Sequence, residues 1–102
     1  MTPPPPPALG RRLQVQSREF YFSLSRPEVA SGDVSVELLN RGEDPHDLRL
    51  RPPGGGEEVG LPETPPFGVS SGVFPLAAGE WTLFCSLEGH ESLGMSATLH
   101  VR

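Results

Sequence analysis

The segment Cys85-Ser86-Leu87-Glu88-Gly89-His90-Glu91-Ser92-Leu93-Gly94-Met95 sits between two alternating runs. Before it, Trp81, Leu83 and Cys85 alternate with Thr82 and Phe84. After it, Ala97, Leu99 and Val101 alternate with Thr98 and His100. A period of two marks a half-buried strand. The segment therefore reads as a loop joining two strands, and Cys85 shares the inward parity of Trp81 and Leu83. Its spacing is Cys-x4-His-x4-Met. Gly89 and Gly94 each precede a candidate ligand, and glycine allows a tight loop backbone angles that other residues resist.

The same period recurs upstream, in Leu13 and Val15, in Phe20, Phe22 and Leu24, in Val34, Val36 and Leu38, and in His46, Leu48 and Leu50. His46 therefore points inward at the start of a strand. Turn signals separate the runs: Arg26-Pro27, Ser31-Gly32-Asp33, Asn40-Arg41-Gly42, Pro52 to Gly56 and Ala77-Ala78-Gly79. No stretch shows a helical period. Six to eight short strands at this spacing predict an all-β sandwich or small barrel. The stretch 52–70 is long for a structureless loop and is expected to hold a short strand near Val59-Gly60-Leu61 or an excursion off the sandwich.

A chain of 102 residues is one domain by size. Pro and Gly number 13 and 12, and they concentrate at residues 3–7 and 52–68, so they mark a tail and a loop rather than general disorder. The expected division is a proline-rich tail over 1–11 and a folded domain over 12–102. The net charge is −5 and every basic residue is Arg, which argues against a nucleic-acid surface and for a basic partner. The single Cys excludes an internal disulfide and any two-cysteine metal site. No apolar run is long enough to span a membrane. Met1-Thr2 leads straight into five prolines, without the basic and apolar regions of a secretory signal. The expected location is nonetheless extracytoplasmic (periplasmic or cell-surface). The signal or anchor would lie outside this sequence, and the prolines would act as a stiff spacer.

His46, Cys85, His90 and Met95 form a coherent donor set. A thiolate and two imidazoles in one plane with a weak thioether above it suit copper in both oxidation states. Thiolate and thioether favour Cu(I), and imidazole suits Cu(II). A site holding one geometry for both needs little rearrangement when an electron passes. With 3 His and 2 Met in the chain, chance placement of both at these offsets from the lone Cys is on the order of one in two thousand, before alternative spacings are allowed for. His100 has outward parity and reads as a surface residue, and Trp81 reads as core.

Residues 80–101 resemble the C-terminal motif of the cupredoxins, the blue (type 1) copper proteins. Asn40-Arg41-Gly42-Glu43-Asp44-Pro45-His46-Asp47-Leu48 resembles their first-ligand motif, and Glu19-Phe20-Tyr21-Phe22 the opening strand of many members. The ligand loop is similar to that of rusticyanin, auracyanin and sulfocyanin, and longer than that of plastocyanin or amicyanin. The resemblance implies a Greek-key β-sandwich of about eight strands, with copper held by His46, Cys85, His90 and Met95. It also implies that His90 presents its edge to solvent as the electron port. Two positions depart from the family pattern. Asp47 stands where members often carry Asn, and is expected to clamp Ser86 or its backbone. Glu88 stands where Pro is common, so that Glu88 and Glu91 bracket His90 with negative charge.

The function expected is a one-electron carrier, not an enzyme, and a monomer that docks redox partners transiently near His90, Leu87 and Leu93. Two other uses of the same ligands stay open at this point. One is a copper-handling or storage module, disfavoured by the lack of Cys-x-x-Cys and of Met-rich segments. The other is a detached domain of a larger copper oxidoreductase, whose second copper centre would need more His than the one this chain has to spare.

Overall fold

The computed structural model describes residues 9–102, so most of the expected tail, residues 1–8, lies outside the described residues. The described residues hold nine strands: β1 Arg12–Arg18, β2 Tyr21–Leu24, β3 Glu28–Val29, β4 Gly32–Asn40, β5 His46–Arg51, β6 Val59–Thr64, β7 Val69–Leu76, β8 Gly79–Phe84 and β9 Ser96–Val101. The only helical element among the described residues is a 3-10 turn at Glu91–Leu93, inside the loop 85–95 between β8 and β9. The strands form two mixed sheets, ordered β2-β1-β4-β7 and β3-β9-β8-β5-β6. The all-β sandwich expected from the alternation is observed.

The parity of the strands sets the core. Leu13, Val15, Val34, Val36 and Leu38 come from one sheet; Leu48, Leu50, Leu61, Trp81, Leu83 and Leu99 come from the other, and all are buried in one cluster. Each such side chain contributes about 1.5–3 kcal/mol on leaving water. Trp81 joins them because its indole N–H finds the Ala77 carbonyl at 2.8 Å. His100, of opposite parity, faces outward beside Glu80.

Strand β6 extends the expected short strand at Val59 to Thr64. Strand β7 is an addition to the sequence reading, because its pattern is inverted. The inward positions include Ser70 and Gly72, whereas Val69 and Val73 point outward and are more than half exposed. Ser70 is accepted inside because its hydroxyl meets that of Thr64 at 2.7 Å. Gly72 leaves room for Phe74 and Leu61, which a Cβ there would crowd. Pro62 and Pro75 fall on β6 and β7, the edge strands of their sheets, where a missing N–H costs the ladder nothing.

Strand pairing decides where the loops gather. Ser17 pairs with Asn40, Leu39 with Val69, His46 with Thr64, and Arg49 with Phe84. The β1–β2 turn and the loops 41–45, 65–68 and 85–95 therefore lie at one end of the sandwich. That end carries every candidate ligand.

Candidate metal centre

His46 opens β5 and is fully buried, in line with Leu48 and Leu50. Cys85 follows the last residue of β8 and is also fully buried. His90 comes back over them because the loop is folded on itself. The N–H of His90 donates to the Leu87 carbonyl at 3.0 Å, and the Met95 N–H to the His90 carbonyl at 3.1 Å. The Cys85 N–H donates to the Met95 carbonyl at 3.2 Å, closing the loop at its base. Gly89 and Gly94 have φ of 80° and 118°, the left-handed region where glycine is favoured, so the two glycines are required by the loop's path.

Three donor atoms converge. The Nδ1 atoms of His46 and His90 are 3.2 Å apart, and Cys85 Sγ is 3.4 Å from His90 Nδ1. One ligand atom from each of the three residues lies within 4.8 Å of the others. With metal–nitrogen and metal–thiolate bonds of about 2.0–2.3 Å at tetrahedral or trigonal angles, ligand atoms are about 3.3–3.8 Å apart. The observed separations are close to that range, so the three side chains fit a single ion. Met95 is fully buried and bound through its backbone to both Cys85 and His90.

Burial pushes the Cys85 thiol up from its ordinary range. The backbone N–H groups of Asp47 and Leu87 oppose that shift by donating toward the sulfur. The free thiol is thus held protonated near neutrality, and the two amides are already placed to stabilise a thiolate once a cation replaces the proton.

Asp47 departs from its strand's parity. It is buried although Leu48 and Leu50 lie on the other face, because its carboxylate accepts from the Ser86 N–H at 2.7 Å and from the Ser86 hydroxyl. The expected clamp between the two ligand-bearing segments is therefore present, in its carboxylate form. Arg51 lies over the Phe84 ring, 4.1 Å from its centroid, and pairs with Glu58 and Glu91. It ties the ligand loop to β5. Glu88 is exposed.

The site has parts that the alternation did not single out. Phe20 meets the His90 ring edge-on, with centroids 5.0 Å apart. Glu19 Oε1 lies 3.1 Å from His46 Nε2. Both come from the β1–β2 turn: Phe20, grouped by the alternation with Phe22 and Leu24 in a strand, lies one residue before β2 begins, and its neighbours are set by tertiary packing. Phe67, in loop 65–68, is 79% exposed at the same end, with φ of 64° and its N–H bonded to the Asn40 carbonyl at 2.7 Å. Leu93 is 62% exposed, whereas Leu87 is half-buried.

No family model matches the sequence, and no curated protein is significantly similar to it. Solved structures are similar in fold. A reduced auracyanin from the photosynthetic bacterium Roseiflexus castenholzii superposes with a TM-score of 0.74 at 16% identity, over 93% of this chain and 99% of that one. Auracyanin B gives 0.73 at 16% identity, over 94% and 91%. Rusticyanin from Thiobacillus ferrooxidans gives 0.70 at 19% identity, over 91% of this chain and 79% of that one. The chain has the cupredoxin fold.

Proposed function

We propose that this domain is a mononuclear blue copper protein that carries single electrons, with His46, Cys85, His90 and Met95 as ligands. The observation that carries the reading is the convergence of two imidazole Nδ1 atoms and one buried thiol on a common point. Two imidazole nitrogens facing each other beside a sulfur can be satisfied together by a soft-to-borderline cation, and one thiolate with two imidazoles and a buried thioether is the copper combination. Copper bound there would supply a one-electron couple.

The protein's own contribution is rigidity. His46 and Cys85 are anchored at the ends of paired strands, and the loop between Cys85 and Met95 is closed by its own backbone bonds. Little can move when the charge changes, which favours fast transfer. The same rigidity disfavours a copper-handling role, which needs ready release. Adding Cu(II) to the metal-free protein is expected to give an intense visible charge-transfer band and a narrow copper hyperfine pattern. Cys85→Ser should abolish both; a band that survives that substitution would refute the assignment.

The partners proposed are redox proteins that dock over His90, Leu93 and Leu87 and present basic surfaces to Glu88 and the surrounding acidic chain. Small reagents can test the charge argument without a natural partner. Cationic one-electron reagents should react more slowly as salt is raised, and anionic ones faster. Equal salt dependence for both would remove electrostatics from the docking model. The tail over 1–11, the monomeric state and the extracytoplasmic location belong to the same proposal; fractionation of cells producing the full-length protein checks the last. No helix among the described residues is long and apolar enough to cross a membrane.

A further inference from the structure

The β1–β2 turn reaches both imidazoles of the site, and its carboxylate has a specific partner. Glu19 Oε1 accepts from the Asp44 N–H at 2.7 Å and lies 3.1 Å from His46 Nε2. The loop that carries His46 is shaped around this carboxylate. Gly42 lies so close beneath it that any Cβ there would run into the Glu19 carboxyl group. Gly42 is itself fixed, its N–H donating to Asn40 Oδ1 at 2.8 Å. Phe20, the next residue in the turn, packs against the His90 ring, and a Cβ at Gly94 would press on the Phe20 carbonyl at 3.1 Å.

An ionised carboxylate accepts and does not donate. Glu19 Oε1 already accepts from the Asp44 N–H, so toward His46 Nε2 it offers a lone pair and not a proton. The proton between the two groups then belongs to His46 Nε2. That leaves His46 Nδ1, the atom 3.2 Å from His90 Nδ1, with a free lone pair. A fully buried imidazole has no water to choose its tautomer, so the one hydrogen bond it makes at the far nitrogen decides it.

We infer that Glu19 is a positioning residue of the metal centre: its carboxylate fixes the His46 ring as the Nε2–H tautomer and aims Nδ1 at the point shared with Cys85 and His90. The inference rests on the copper-carrier reading for its consequence, but the tautomer itself belongs to the metal-free protein. Glu19 also brings a negative charge to one imidazole of the site. That charge favours Cu(II) over Cu(I) there, so it lowers the potential.

The test compares wild type, Glu19→Gln and Glu19→Ala. In metal-free protein at pH 8, long-range proton–nitrogen correlation of the imidazoles should report a single Nε2–H tautomer for His46. Glu19→Gln keeps an acceptor oxygen and should keep that tautomer, whereas Glu19→Ala should populate the Nδ1–H form. After copper loading, Glu19→Gln should keep the narrow hyperfine pattern. Its preference for Cu(I) should rise roughly tenfold, which for one electron is about +59 mV. A His46 protonated at Nδ1 in the wild type, or a Glu19→Ala protein with wild-type tautomer and potential, would overturn the inference. If Glu19→Ala does not fold, the tautomers of wild type and Glu19→Gln decide it alone. A wild-type chain that takes up no copper would sink the carrier reading and still leave the tautomer to be measured.

Discussion

Replacing Asn40 with Ala is expected to destabilise the metal-free domain by about 3–5 kcal/mol, because one side chain holds four groups from three segments. Asn40 is fully buried at the end of β4. Its Oδ1 accepts from the Ser17 hydroxyl at 3.2 Å and the Gly42 N–H at 2.8 Å. Its Nδ2 donates to the Asp44 carbonyl at 2.9 Å and the Thr64 carbonyl at 3.0 Å. Every hydrogen-bonding site of the amide is used. Its backbone continues the pattern, with Asn40 N–H donating to the Gly68 carbonyl at 3.0 Å and the Asn40 carbonyl accepting from Phe67 N–H. Alanine would leave two carbonyls and two donors without partners in a space too enclosed for free hydration, each costing about 1–3 kcal/mol where no water replaces the amide. A domain of this size has about 5–15 kcal/mol of net stability, so a folded but weakened protein is expected.

Asn40→Asp separates the contributions. It fills the same volume and keeps the acceptor for Gly42, but it turns the Asp44 and Thr64 carbonyls toward a second acceptor. If the donor pair carries the effect, Asn40→Asp should be nearly as unstable as Asn40→Ala. Equilibrium urea unfolding should show the midpoint falling with little change in slope. A loss under about 1 kcal/mol for Asn40→Ala would mean that water takes over the amide's role and that the network does not fix the 41–45 loop.

The hub explains which parts of the molecule were legible in the sequence. Alternation placed Leu13, Val15, Val34, Val36, Leu48, Leu50, Leu83 and Leu99 inward, and all are in the core. It also set His46 and Cys85 on inward faces, where the structure brings them within reach of His90. These positions are legible because a repeating strand forces burial on every second residue. Strand β7 escaped because Ser70 and Gly72 face inward there while Val69 and Val73 face out, a pattern that only Thr64, Leu61 and Phe74 make sense of. Strand β3 is two residues long and pairs in parallel with β9, so no local period announces it. At the site, Cys85, His90 and Met95 share one loop, whereas Glu19 reaches His46 across 27 residues. Asn40 was visible only in a turn signal and at the head of the stretch resembling the first-ligand motif. Its role depends on the partners that β1, β6 and the 41–45 loop bring to it, and no local pattern encodes them.

The clamp between the ligand segments yields the second large effect. Asp47→Ala should cost about 2 kcal/mol, the range for hydrogen bonds to a charged acceptor. It should also broaden the copper hyperfine pattern, because Asp47 and Ser86 are the immediate neighbours of His46 and Cys85. The backbone ladder between β5 and β8 runs from Arg49–Phe84 to Arg51–Thr82, so toward the ligands the side-chain bonds from Asp47 to Ser86 take over its task. Without them the two ligand strands can separate where the site requires them fixed. Asp47→Asn has a different expected outcome. Its amide oxygen can accept from the Ser86 N–H, and its NH2 can donate to the Ser86 hydroxyl, so the clamp survives with the sense of one bond reversed. Stability should stay within about 0.5 kcal/mol of wild type, the scatter of a mutation that keeps its contacts. The reduction potential should rise, because a negative charge beside Cys85 is lost and Cu(II) is the form it favours. Chemical unfolding of the metal-free variants and voltammetry of the copper-loaded ones check the pair. An Asp47→Asn protein as unstable as Asp47→Ala would show that the charge, not the bridge, holds the two segments together.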